Sequence, residues 1–206
     1  MFNSLKSAFA VLLLAGMSTT AFAGIGGKVG VASDNYFRGH NISDGIGYKI
    51  SGNVDWNGLY GSVGLMSLAD DFDGDHLMIS KLGYGMKLAG MKVKLSYNDY
   101  RHQGGDHDGW KEFGVAMDLD KFGFKYHKGL DGAGDFYAIH SDILKVARLE
   151  YGDWDDGGSY WKIHKGFDLL KGKLHVGYID HEDNEDDFAD KIKDLDNFYV
   201  GYSYKF

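Results

Sequence analysis

The sequence predicts an all-β fold, a transmembrane antiparallel up-and-down β-barrel of about twelve strands, and three observations support this. Apolar and polar residues alternate with period two along most of the chain, short turns alternate with longer acidic connections, and the chain ends in an alternating strand whose last residue is Phe206. An even number of strands joined alternately by short turns and long loops is typical of bacterial outer-membrane barrels. We expect the short turns to be periplasmic and the acidic loops extracellular.

The composition limits the alternatives. The chain has 206 residues, 31 of them glycine, with no proline and no cysteine, so a disulfide framework and cysteine metal sites are excluded. A mean hydropathy of −0.32 excludes a polytopic helical membrane protein. One apolar run, at residues 11–17, lies between Lys6 and the small-residue stretch at 21–23, as in a cleavable signal peptide. We therefore expect residues 1–23 to be removed and residues 24–206 to form the barrel.

The net charge of −8 argues against nucleic acid as a partner.

Twelve segments carry the strand pattern, and Asn57-Gly58 is the strongest hairpin signal, because a type I′ turn requires positive φ at both central residues. The phase slips around residues 142–146, so ten strands is the alternative count. The predicted strands are residues 28–36, 46–56, 59–68, 77–88, 91–101, 110–119, 122–129, 135–143, 146–154, 159–169, 174–180 and 196–206.

Alternation alone does not decide which face of the sheet contacts water. In a soluble sandwich or a lipocalin-like barrel the apolar face would turn inward. Here the opposite face carries lysine, histidine, serine, asparagine and glycine, and aromatic residues lie near strand ends, as in the two interfacial girdles of a membrane barrel. We expect the apolar face to contact lipid. The residues assigned to the girdles are Trp56, Trp110, Phe113, Phe122, Phe124, Tyr126, Trp161, Phe167, Tyr178 and Phe198.

The last strand is the most specific segment. Tyr202, Tyr204 and Phe206 alternate with polar or small residues up to the C-terminus. Such a strand is what outer-membrane proteins present to the barrel-assembly machinery, which we therefore expect as a partner.

The first connection carries a resemblance to a known family. The run Ser33-Asp34-Asn35-Tyr36-Phe37-Arg38-Gly39, followed by Ser43-Asp44-Gly45 and an alternating strand, resembles the TorF-type porins. That proteobacterial family has a signal peptide and an outer-membrane barrel of undefined substrate. The resemblance implies an outer-membrane location and channel activity, and it names no solute. Arg38 has two open placements, exposed in the loop or buried beside Asp34 at the barrel rim.

If the apolar face contacts lipid, the opposite face lines a lumen with more basic than acidic residues. Inward glycines at 64, 83, 85, 114, 123, 177 and 201 favour open space. A basic lumen predicts a passive channel for small polar or anionic solutes, whereas cross-strand pairing of lysine and aspartate would plug it. The predicted lumen residues are Lys28, Lys49, Lys81, Lys87, Lys92, Lys94, Lys125, Lys162, Lys205, His127, His164 and His175.

Other functions have weaker support. Asp70, Asp71, Asp73 and Asp75 could bind a hard cation, but the spacing does not match an EF-hand, and the acidic, histidine-containing loop 102–108 is a weak zinc or copper candidate. An outer-membrane hydrolase is the least favoured alternative, because no serine lies in a nucleophile motif, and we expect neither an enzyme nor a cofactor. A structural or adhesive barrel that binds lipopolysaccharide in the outer-membrane lipid remains an alternative. The spacing of Phe188, Ile192 and Leu195 suggests a short helix near the mouth.

Overall fold

The computed structural model describes residues 24–43, 45–70, 72, 74–105, 109–143, 146–155, 157–182 and 197–206. The expected signal peptide at 1–23 and the suggested helix at 188–195 lie outside these residues. No helix in the described part of the chain is long and apolar enough to cross a bilayer.

Twelve strands form a closed antiparallel barrel in which each strand pairs with its neighbours along the chain and the first pairs with the last. Two further strands, β2 and β3, form a separate small hairpin. The strands are β1 (Gly24–Ala32), β2 (Tyr36–Phe37), β3 (His40–Asn41), β4 (Gly47–Trp56), β5 (Leu59–Ser67), β6 (His76–Leu88), β7 (Met91–Gln103), β8 (Trp110–Leu119), β9 (Phe122–Leu130), β10 (Phe136–Ile143), β11 (Ala147–Trp154), β12 (Gly158–Leu169), β13 (Gly172–Glu182) and β14 (Asn197–Lys205).

The twelve-strand barrel predicted from the sequence is confirmed. Strands β10 and β11 pair from Phe136 opposite Trp154 to Ile143 opposite Ala147, so the ten-strand alternative is wrong. Asn57 and Gly58 have φ values of 46° and 87°, as a type I′ turn requires. We call the end of the barrel that carries the short turns the turn end, and the opposite end the loop end.

The barrel closes between β1 and β14 at the turn end. The amide of Gly27 donates to the carbonyl of Phe206 at 2.8 Å, and the amide of Phe206 donates to the carbonyl of Gly27 at 3.1 Å. The terminal residue therefore completes the ladder of the first strand, which leaves neither strand with a free edge at this point.

The distribution of apolar side chains is the inverse of that in a soluble protein. Within the described ranges, 29 large hydrophobic side chains are exposed and nine hydrophobic residues are buried. Soluble monomers rarely expose apolar surface on this scale. The exposed set includes Leu82, Phe113, Phe122, Trp161 and Phe198, which lie on the outer face of five different strands.

The nine buried hydrophobic residues lie inside the barrel, toward the loop end. They form two clusters, one of Phe136, Ala138, Trp154, Tyr160 and Ile179, and the other of Ile42, Met66, Leu77 and Tyr100. Tyr36 packs against the first cluster and Phe37 against the second. The small β2–β3 hairpin is therefore part of an apolar core inside the loop end.

This core corrects two predictions. The first strand was expected over 28–36, but it ends at Ala32, because Tyr36 and Phe37 leave the wall and enter the lumen. Trp110 was expected in an interfacial girdle. It instead packs inside against Phe37 and Tyr100, since it lies two residues before the inward Glu112 on the same strand and so faces the same side.

Most of the inward glycines do not mark open space. A Cβ at Gly83, Gly114, Gly123 or Gly177 would overlap a side chain of a neighbouring strand, and one at Gly201 would press against Ala32. Three tyrosines lie directly opposite glycines across the sheet, in the pairs Tyr60–Gly83, Tyr160–Gly152 and Tyr199–Gly177. Each ring occupies the space above its glycine. Glycine therefore makes room here for an aromatic neighbour, while Gly64 and Gly85 keep ordinary clearance.

These tyrosine and glycine pairs predict a position-dependent effect of adding one methyl group. Gly177→Ala places a Cβ against the Tyr199 ring and should destabilise the barrel by about 1–3 kcal/mol, the usual cost of overpacking. Gly61→Ala is the matched control, because its nearest neighbours are 3.9 Å away or more. Urea unfolding in lipid vesicles measures both, and equal stability of the two variants would contradict the proposed packing.

Candidate functional site

The connection between β1 and β4 folds back into the barrel. We call residues 34–43 the inserted hairpin. Tyr36 pairs with Asn41 and Phe37 with His40, and the two turn residues, Arg38 and Gly39, have φ values of 52° and 93°. A positive φ costs a residue with a Cβ about 1–2 kcal/mol, so arginine is an unfavourable choice for the first turn position. The ion pair that the arginine side chain forms inside the barrel explains why arginine is found at this position.

Arg38 forms an ion pair with Glu112 of β8 inside the barrel. Nη2 of Arg38 donates to Oε1 of Glu112 at 2.6 Å and to Oε2 at 2.5 Å. The side chains are 5% and 0% exposed. Removing one partner of so deeply buried a pair typically costs about 3–5 kcal/mol, because the other charge is left without compensation. The pair therefore anchors the tip of the inserted hairpin to the barrel wall.

Of the two placements considered for Arg38 from the sequence, the exposed one is wrong, and the buried one is right about burial but names the wrong partner. Arg38 is not exposed, and its acidic partner is Glu112, not Asp34, which accepts a hydrogen bond from Nδ2 of Asn41 at 3.1 Å. The reason is distance along the chain. Glu112 lies 74 residues away, and only the closure of the barrel brings it opposite the hairpin tip.

Glu112 has two further donors on the barrel wall. Nε1 of Trp110 donates to its Oε1 at 3.0 Å, and Nδ1 of His127 lies 2.9 Å from its Oε2. A carboxylate that accepts several hydrogen bonds is strongly favoured in its ionised form. His127, predicted as a lumen residue, therefore supports the anchor of the hairpin.

Four aromatic rings surround the guanidinium of Arg38. Its Cζ lies 4.4 Å from the ring centre of Phe136, 5.1 Å from those of Phe37 and Trp154, and 5.6 Å from that of Tyr100. Cation–π contacts are strongest when water is excluded. The rings thus stabilise the cation that the pair with Glu112 requires.

The base of the inserted hairpin is bound to β4 and β5 through Asn35. The backbone amide of Asn35 donates to Oγ of Ser43 at 2.7 Å. Its side-chain Nδ2 donates to Oγ of Ser67 at 2.9 Å and to the carbonyl of Tyr48 at 3.2 Å. Asn35 is completely buried. The hairpin is thus held at its base by hydrogen bonds and at its tip by an ion pair.

Two buried histidines meet beside the hairpin. The rings of His40 and His181 are 4.3 Å apart, and His40 packs edge-on against Trp154 at 5.5 Å. Nε2 of His181 lies 2.9 Å from the carbonyl of Gly157, while both ring nitrogens of His40 have no hydrogen-bond partner within the described structure. Burial, and then the neighbouring His181 and Arg38, lower the pKa of His40 to about 3. His40 is therefore neutral while the hairpin is docked.

Below the inserted hairpin lies a cavity of about 460 Å³, which we call the basic chamber. Asp34, Asn35 and Tyr36 of the hairpin line it on the loop side. Six of the predicted lumen residues also line it, namely Lys28, Lys49, Lys81, Lys162, His164 and His175.

The remaining predicted lumen lysines lie apart from the basic chamber. Lys125 pairs with Glu150 at 3.4 Å, and Nζ of Lys94 lies 6.0 Å from the ring centre of Tyr60. The other three lie near the turn end, where Lys87 is opposite Lys92 across β6 and β7, and Lys205 is opposite Lys28 across β14 and β1. Lysines are thus found from the basic chamber to the turn end, where Asp118 lies opposite Lys92 across β7 and β8.

The other predicted site residues have distinct placements. Ser33 joins β1 to β14 through its Oγ, which accepts a hydrogen bond from the backbone amide of Val200 at 3.2 Å. Phe206 and Tyr204 are exposed on the outer face, and the Tyr202 hydroxyl donates to the carbonyl of Leu169 at 3.3 Å. Gly39 allows the close approach of Tyr160 and His181.

The acidic metal candidates are only partly within the described structure. Asp70 and Asp75 belong to it, whereas Asp71, Asp73 and residues 106–108 lie outside it. In the described part of the chain, no three metal-ligating side chains come together.

Sequence reasoning missed the residues that hold the inserted hairpin. His40, Trp154, Tyr160 and His181 are far apart along the chain and lie in or beside connections that were expected to face solvent. The available signal was Arg38 itself, a charged residue beside aromatic residues in the first connection, because such a residue requires a counter-charge once it is buried. In sequence comparisons, no family model and no curated protein matches this chain.

The anchor predicts strongly non-additive effects of mutation. Arg38→Asn removes the cation but suits the turn, because asparagine tolerates positive φ, and Glu112→Gln removes the anion. Each single variant should weaken docking of the hairpin by about 3 kcal/mol, and the double variant by clearly less than the sum. Hydrogen exchange of amides 36–41 in detergent measures docking.

Arg101→Asn is the control for this cycle. Arg101 also pairs with an acid, Asp99, at 2.7 Å, but its side chain is 54% exposed. An exposed pair contributes less than about 1 kcal/mol, so amides 36–41 should exchange as in the unmodified chain. Additive effects of Arg38→Asn and Glu112→Gln would contradict the anchor.

The buried His40 predicts that docking of the hairpin weakens in acid. A released His40 has a pKa near 6.5, whereas the docked residue has a pKa of about 3, so only the released form binds the proton as pH falls below about 6.5. At pH 5 this favours release by about 2 kcal/mol. Protection factors of amides 36–41 should therefore fall about thirtyfold between pH 7.5 and pH 5. His40→Phe keeps a ring in this place without titrating, and an identical fall in that variant would refute the role of His40.

Proposed function

We propose that the chain is an integral outer-membrane barrel that forms a narrow channel for small polar solutes, with a preference for anions. The observation that carries the proposal is the opposition of two surfaces, an exposed apolar outer face and a cavity lined by four lysines. Exposed apolar side chains suit a bilayer, and a closed sheet leaves no unpaired edge in lipid.

The positive charge of the residues that line the basic chamber supports an anion preference. Lys28, Lys49, Lys81 and Lys162 line the basic chamber, and Asp34 is the only acidic residue on its described lining. Cations that enter a basic constriction with low-dielectric walls meet an electrostatic barrier, and anions are attracted. The resemblance of residues 33–39 to the TorF-type porins agrees with this function.

The inserted hairpin sets the constriction. It fills the loop end of the lumen together with the two apolar clusters, so the docked state conducts poorly. Release of the Arg38 anchor would widen the path. In the proposed orientation, with short turns in the periplasm, a solute passes the hairpin before it reaches the basic chamber.

Recordings in planar bilayers test this function. We expect small conductance steps from the unmodified chain and a reversal potential in a KCl gradient that shifts toward the chloride potential. Arg38→Asn should raise the conductance, because it releases the constriction, and should preserve the anion preference, because the four chamber lysines remain. Arg101→Asn is the control, and it should leave the conductance unchanged.

A structural barrel is the second candidate, and the filled loop end favours it. The same recordings separate the two functions. If neither the unmodified chain nor Arg38→Asn conducts, although both are inserted and folded, the channel is refuted and the structural barrel is supported. A preference for potassium would refute the anion channel alone.

A further inference from the structure

We infer that the basic chamber is a binding site for a small anion that carries two negative charges on oxygen atoms, of the phosphate or dicarboxylate class. This inference rests on the proposed channel, since the anion would be the solute that the channel receives. It goes further, because it assigns a saturable site, a chemical class of ligand and the residues that bind it.

The excess of positive charge is the first argument. Four lysines and one aspartate line the chamber, and the aspartate already accepts a hydrogen bond from Asn41. None of the four lysines forms an ion pair with any described acidic residue. Lys49, Lys81 and Lys162 are half-buried and Lys28 is exposed. A cluster of like charges inside low-dielectric walls attracts an anion.

Two further acids inside the barrel, Glu112 and Glu150, have closer partners than the lysines of the basic chamber. Glu112 is bound by Arg38 and His127. Glu150 receives Lys125 on one oxygen and the Tyr160 hydroxyl, at 3.0 Å, on the other. Each carboxylate thus has its own partners. Glu150 also lies opposite Lys162 across β11 and β12, beyond ion-pair distance, so most of the lysine charge of the basic chamber is left to an exogenous ligand.

The positions of the lysines indicate a ligand approached from several sides. They come from the neighbouring strands β1 and β4, and from β12 and β6 on either side of them. Lys49 donates to the carbonyl of Tyr36 in the inserted hairpin at 3.4 Å, and Lys162 lies 5.1 Å from the ring centre of Tyr199. These contacts hold the two ammonium groups in place without neutralising them. A ligand with two charged ends or faces matches this arrangement better than a halide ion does.

Neutral polar groups complete the lining. Ser51, Ser62 and Ser203 contribute hydroxyls, and the Oγ of Ser203 lies 2.9 Å from Nε2 of His175. Hydroxyl and imidazole groups can donate to the several oxygens of an oxyanion, whereas a halide ion is a single acceptor. The volume of about 460 Å³ lies in the range of small-molecule sites, so the site accommodates a phosphorylated or dicarboxylic metabolite as well as inorganic phosphate.

Binding to the purified full chain in detergent tests the inference without requiring conduction. The probes are inorganic phosphate, succinate and chloride, each titrated by calorimetry at constant ionic strength. We expect saturable binding of phosphate, succinate or both, and none of chloride at equal concentration. Which dianion binds more tightly distinguishes the phosphate from the dicarboxylate class.

One strand supplies matched variants. Lys162 lines the chamber, whereas Lys165, three residues further along β12, faces outward beside Phe167. Lys162→Gln and Lys49→Gln should each weaken dianion binding by about tenfold, as expected for loss of one charge-assisted hydrogen bond. Lys165→Gln should leave the affinity unchanged. Absence of saturable dianion binding, or an equal loss in Lys165→Gln, would overturn the site.

The outcomes distinguish this inference from the proposed channel. Anion-selective conductance without dianion binding would refute the chamber site and leave the channel intact. Dianion binding that depends on Lys49 and Lys162, in a barrel that does not conduct, would establish the site and refute the channel. Circular dichroism of each variant verifies that the barrel is folded, so that loss of binding is not mistaken for loss of structure.

Discussion

The ion pair between Arg38 and Glu112 is the interaction on which the interior depends. A carboxylate on the barrel wall, completely buried, requires a cation, and the nearest one comes from the first connection, not from a neighbouring strand. Once Arg38 is drawn inside, Phe37 and Tyr36 follow and pack with the aromatic residues of the wall. Either partner alone would be a costly buried charge. The pair therefore determines that the loop end is a packed core and that the connection does not extend into solvent.

The same pair divides the lumen into two regions of different character. Above it the interior is apolar and filled, and below it lie the basic chamber and the lysines of the turn end. The division is chemical as well as spatial, because Glu112 and Glu150 are bound to partners outside the chamber. With both glutamates held by these partners, four lysines and one aspartate line the chamber. In the proposed channel, a preference for anions would follow from where Glu112 and Glu150 are held as well as from the number of lysines.

The barrel could be predicted from the sequence because its determinants are local. Alternation with period two, the Asn57-Gly58 turn and the apolar terminal strand each act within a few residues. The inserted hairpin could not be predicted in this way, since its contacts depend on barrel closure and on register across distant strands. Trp110 illustrates the difficulty: it is apolar, yet it shares the inward face of Glu112. The inward glycines illustrate it again, because only the register shows that Tyr199 lies opposite Gly177.

The turn at the tip of the hairpin shows how the anchor and the chamber are coupled. Arg38 has a φ of 52°, an unfavourable conformation whose cost is offset only while the guanidinium is bound to Glu112. The backbone conformation of the turn and the ion pair of its side chain therefore depend on each other. A hairpin that loses the ion pair no longer holds Arg38 in its unfavourable conformation. Because Lys49 donates to the carbonyl of Tyr36, movement of the hairpin also changes the lining of the basic chamber. One element, the short inserted hairpin, thus both packs into the core of the loop end and lines the basic chamber.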